Sequence, residues 1–82
     1  MPLIPLELLA AGEIGRIHSV EGDPPVTTRL QELGFVAGAV VEMLQPGTPL
    51  RLRLNRQQPF SYRADEHVMV LVDTDAHPAD HP

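Results

Sequence analysis

With 82 residues, no cysteine, no lysine and a net charge of −5, the chain can build one small core and no second domain. A domain of this size buries only about 60 to 65% of the surface its unfolded chain exposes. The missing cysteines and lysines exclude disulfides, thiol nucleophiles, thiolate metal sites and Schiff-base chemistry, and eleven acids against six arginines disfavour nucleic acid, which is held largely by basic side chains that displace counterions.

In chain order, Leu3 and Ile4 precede Pro5, and Leu6, Leu8 and Leu9 precede Gly12. This predicts a short extended start and one helical turn stopped by glycine. Ile14, Ile17 and Val20 are three apart, so a strand over 14–20 requires a bulge near His18 and Ser19, and Glu21-Gly22-Asp23 closes it. From Pro24 the pattern turns helical. Asp23 is placed to cap, Pro24 and Pro25 suit the first turn, and Val26, Leu30 and Leu33 recur at i, i+4 and i+7. Gly34 then stands where a left-handed residue ends a helix, and Phe35 follows where a Schellman motif returns the chain to Leu30. Leu30, Leu33 and Phe35 are expected in the core, with Gly34 and Gly38 shaping the turn.

Past Gly38 the period becomes two: Val41 and Met43 alternate with Val40, Glu42 and Leu44, and Pro46-Gly47 marks a turn. Leu50, Leu52 and Leu54 alternate with Arg51, Arg53 and Asn55; Phe60 and Tyr62 alternate with Ser61 and Arg63; a last strand covers 67–72. Five short strands and one helix predict a mainly β fold, a small barrel whose closure would remove exposed edges. The organisation is a single domain over 1–72 and an acidic tail containing Pro and His over 73–82. No secretory signal is visible, and the longest run of large apolar residues, Val68 to Val72, is far below the ~20 of a membrane helix. The chain reads as cytoplasmic.

Three features invite a function. Arg51, Arg53, Arg56 and Arg63 lie in a window without an acid, a local +4 against −9 elsewhere. Such a patch suits an acidic partner surface; the plainer alternative is a solvated hairpin face. Met69 and Leu71 point outward if Val68, Val70 and Val72 point inward, and call for a cover, with the Leu3–Leu9 segment the simplest and self-association the alternative. His77, Asp80 and His81 in the tail are conceivable metal ligands, although Pro78 interrupts a helical His pair. Ser19 and Ser61 lie in no nucleophile motif, and no glycine loop cradles phosphate. No catalytic site and no cofactor are expected.

The run Arg29-Leu30-Gln31-Glu32-Leu33-Gly34-Phe35-Val36-Ala37-Gly38 resembles the signature of the FeoA family, small cytosolic proteins of bacterial ferrous-iron transport, with Ala37 where that signature has proline. The leucine-rich start ending at Gly12, Gly15-Arg16-Ile17, the Val41/Met43 pair, Pro49 with the strand after it, and Val70-x-Val72 extend the similarity over residues 3–72. It implies an SH3-like barrel, agreeing with the strand count, and a non-enzymatic accessory partner of the membrane transporter FeoB that contacts its cytosolic GTPase-bearing region and meets the membrane only through it. On that basis Arg29, Gln31, Glu32, Arg51 and Arg53, with Met69 and Leu71, are the candidate contacts. The alternatives are an SH3-like regulatory or oligomerisation module, as in the diphtheria toxin repressor family, and transition-metal binding through the tail.

Overall fold

A computed structural model describes residues 3–74. Six strands and one helix occur in the order β1 (Leu3–Pro5), a 3-10 turn (Leu6–Leu8), β2 (Ile14–Gly22), α1 (Pro24–Leu33), β3 (Val40–Gln45), β4 (Leu50–Leu54), β5 (Phe60–Tyr62) and β6 (Val68–Asp73). All pairings are antiparallel, and the sheet runs β1-β6-β2-β3-β4-β5. This is the expected mainly β, small SH3-like barrel, with the extended start promoted to a sixth strand that pairs with β6. Among the described residues the hydrogen-bonded order has two ends, so edges are not abolished as expected. They are shortened: β1 and β5 are three residues each, which limits their value as templates for another chain.

The bulge in β2 arises as the sequence spacing requires. The register with β6 steps from Ile17↔Val72 to Ser19↔Leu71, so His18 is the extra residue. Ile17 and Val20, three apart, thereby both join the inner side, opposite Val72 and Val70. Ile14 is opposite Glu42, and the inward position beside it belongs to Gly15. A Cβ there would lie 2.4 Å from Val72 Cγ1. The core comprises Leu6, Leu9, Ile17, Leu30, Phe35, Ala39, Val41, Met43, Leu50, Leu52, Leu54, Val70 and Val72, the apolar half of each alternating strand plus contributions from the first turn and the helix.

Two expectations about helix and core need correction. Asp23 accepts the Val26 and Thr27 amides through its main-chain carbonyl, both at 3.0 Å, and its side chain makes no cap. Leu33 is not core: it is 56% exposed, whereas Leu30 is 5% exposed and Phe35 is wholly buried. The helix reverses at Gly34 (φ 111°), with the Gly34 amide donating to Gln31 O and the Phe35 amide to Leu30 O, each at 3.0 Å. These are the two bonds of a Schellman motif. The reversal carries Phe35 back onto the core against Phe60 and Tyr62, with ring centroids 5.9 and 5.2 Å apart. Phe35 therefore supplies the apolar contact at the helix end that the periodicity had assigned to Leu33.

Candidate interaction surface

The basic hairpin is less basic in space than in sequence. Strand pairing sets Glu42 opposite Arg53, and Arg53 Nε approaches Glu42 Oε1 at 3.0 Å, as an ion pair without the alignment of a hydrogen bond. The window free of acids along the chain thus acquires one across the sheet, and the candidate contact Arg53 is paired with Glu42 within the chain. Arg51 keeps its place on the outer face, opposite Gln45 and Ser61. Arg51, Arg56 and Arg63 are exposed.

Met69 and Leu71 face outward as expected, Met69 at 46% exposure and Leu71 half-buried. The N-terminal segment does not lie over them. β1 joins β6 edge to edge, with Pro5 opposite Leu71 and Leu3 opposite Asp73, while Leu6 and Leu9 turn inward to the core. Met69 remains uncovered among the described residues, opposite Glu21. Beside it a shallow groove of about 310 Å³ is lined by Glu21, Gly22, Glu66, His67, Val68 and Met69. Gly22 lines it where two segments of the chain meet closely: a Cβ there would lie 2.3 Å from His67 O.

On α1, Arg29, Gln31 and Glu32 are exposed. The candidate contacts therefore occupy three separate regions: the helix, the outer face of β4, and the outer face of β6, which is separated from β4 by β2 and β3. Two further side chains at the helix end were not among the expected contacts. Val36 is 45% exposed, and Arg16 reaches the loop from β2, its Nη1 donating to Gly38 O at 3.1 Å. No local pattern signals either one, because the first depends on where the reversal points and the second on a contact across 22 positions.

Titratable chemistry is sparse. His67 lies 3.9 Å from Asp23 Oδ2 and 3.8 Å from Glu66 Oε2, all well exposed. Ser19 Oγ donates to Glu21 Oε2 at 3.3 Å. Tyr62 is held above its ordinary pKa by burial, with the charges of Glu7 and Asp65 adding to the effect. Among the described residues no three His, Asp or Glu side chains are placed to hold a metal ion, and no helix is long and apolar enough to cross a membrane. His77, Asp80 and His81 lie outside the described residues.

The FeoA domain family matches residues 4–73. The chain belongs to the FeoA family. The solution structure of a FeoA protein from Chlorobium tepidum is 31% identical, superimposes with a TM-score of 0.73, and is matched over 87% of this chain and 70% of its own length. A crystal structure of an iron uptake regulatory protein, also FeoA, is 19% identical with a TM-score of 0.76, over 88% of this chain and 96% of that one; it supports the fold. No curated protein matches this FeoA chain significantly. The resemblance carried by 29–38 thus extends to the whole barrel, and the departure at Ala37 falls in an exposed turn where it leaves the fold intact.

Proposed function

We propose that this FeoA chain is a non-enzymatic accessory protein of ferrous-iron uptake that acts in the cytoplasm by binding the GTPase-bearing cytosolic region of a FeoB-type transporter. The observation that carries this reading is the family match over residues 4–73, which supports a role in iron uptake. What the barrel offers such a role is surface. Most of its large apolar side chains pack into one core, and its arginines, Arg53 apart, stand exposed on the periphery. Exposed charges of this kind set orientation and encounter rate in a protein complex more than they set its affinity.

The decisive experiment is a calorimetric titration of the full chain into the transporter's cytosolic domain, without nucleotide and then with GDP or a non-hydrolysable GTP analogue. Saturable binding whose affinity differs between nucleotide states is the expected result. No heat and no co-sedimentation in any state would remove the transporter from the function.

A further inference from the structure

We propose that the docking face is the end of the molecule built by the α1 C-terminus and the loop after it, and that it takes an apolar ridge of a partner protein set within an acidic surface. This rests on the partner reading above.

The large apolar side chains left exposed among the described residues are Leu3, Leu8, Leu33, Val36 and Met69. Three of them have acidic neighbours: Leu8 follows Glu7, Leu3 is opposite Asp73, and Met69 is opposite Glu21. Leu33 likewise follows Glu32, but Leu33 and Val36 differ in having arginines on the elements beside them. Arg29 stands one turn before Leu33 on the same helix face, and Arg16 is anchored on the loop by its bond to Gly38 O. Arg56 arrives from the β4–β5 connection. That connection starts beside the helix end: the Leu54 side chain lies close to Gly34, where an added Cβ would be 3.3 Å from its Cδ1, and Asn55 exchanges bonds with Val40 at 2.7 and 3.0 Å. Against these three guanidinium groups stand Glu32 and Asp73, the latter opposite Arg16 in register, which leaves a positive excess on a chain of net −5.

The two apolar side chains are also preset. The Schellman bonds at Gly34 and Phe35, the Val36 amide to Gly34 O at 2.9 Å and the Ala39 amide to Val36 O at 3.0 Å hold the backbone on either side of the buried Phe35. Leu33 and Val36 therefore project without further backbone ordering, and this lowers the entropic cost of binding. A desolvated apolar centre with a charged rim is the usual energetic plan of an interface. Among the described residues the β4–β5 hairpin has arginines but no exposed large apolar residue, and the β6 face has Met69 opposite Glu21; the helix end combines exposed apolar residues with arginines.

The test is a titration of isotope-labelled full chain with the unlabelled GTPase-bearing cytosolic domain of a FeoB-type transporter, following backbone amides by NMR. Perturbation should centre on 33–38, Arg16, Arg29 and Arg56. Leu33→Ser with Val36→Ser, both at exposed sites, should keep the native spectrum and weaken binding roughly tenfold or more. Arg29→Glu with Arg56→Glu should weaken it and flatten its salt dependence, whereas Arg51→Glu should not. If the wild type binds but perturbation centres on strands β4, β5 or β6 and spares 33–38, or the Leu33/Val36 variant binds as tightly, the docking face is wrong and the partner reading stands. If the wild type does not bind, the partner reading falls and this proposal with it.

Discussion

Gly22 shows how a neighbour can dictate a residue. Its φ of +150° is one that L side chains rarely adopt, and a Cβ would meet His67 O at 2.3 Å and Val68 Cα at 2.8 Å, both backbone atoms that cannot step aside. Gly12, at φ +85°, has open space where its Cβ would go. Gly22→Ala should therefore cost about 3 kcal/mol, strain and overpacking together, and Gly12→Ala about 1 kcal/mol from torsion alone. Urea unfolding of the two variants checks this, and equal losses would show that torsion is the whole effect. Tyr62, the single tyrosine in a chain without tryptophan, gives a second readout. Burial, then Glu7 and Asp65, raise its pKa above the ordinary 10.0, so the folded state holds the phenol proton more tightly than the unfolded chain does. The sign follows: stability is fully present below pH 10 and falls as pH rises through the raised folded value, where the unfolded chain has already ionised. A tyrosinate absorbance titration should give a midpoint above the model-peptide value, and Tyr62→Phe should flatten the alkaline loss of stability. A midpoint at the ordinary value would contradict the burial.

At the scale of the element, α1 separates what periodicity specifies from what it does not. The start at Pro24, the end at Leu33 and the glycine reversal were all legible, because caps and turn torsions are chosen by adjacent residues. The fate of Leu33 was not, since it fits the apolar stripe as well as Leu30 does, and burial depends on what lies beneath each position. Leu30→Ala should cost about 2 to 5 kcal/mol and Leu33→Ala less than about 1 kcal/mol, read from thermal unfolding. A Leu33→Ala loss as large as that of Leu30→Ala would mean that Leu33 is packed after all. Similarly, the alternation of Leu50, Leu52 and Leu54 foretold the outward arginines, but the pairing of Arg53 with Glu42 needed the β3–β4 register.

Across the whole molecule, the N-terminal segment is structural rather than a lid on β6. Leu6 and Leu9 are buried in the same core as Phe35 and Val72, and β1 extends the sheet beyond β6. A chain beginning at Ala10 should lose cooperative unfolding and a dispersed NMR spectrum, since two leucines each worth about 2 to 5 kcal/mol rival the whole stability of a small domain; a native-like spectrum would show the segment to be dispensable. The −5 average likewise resolves along the fold, with four of the six arginines on β4, the β4–β5 connection and the residue after β5. By itself the sequence determined five of the six strands, the helix with its reversal, a bulge near His18 and Ser19 and the kinship with FeoA, because alternation and turn chemistry act between residues a few positions apart. Only the tertiary structure decided that Leu33 faces solvent, that Glu42 neutralises Arg53, and that Arg16 reaches across 22 positions to Gly38 O beyond the helix end. Each of those outcomes depends on which distant segments the barrel brings together, and one strand's alternation does not encode its neighbour.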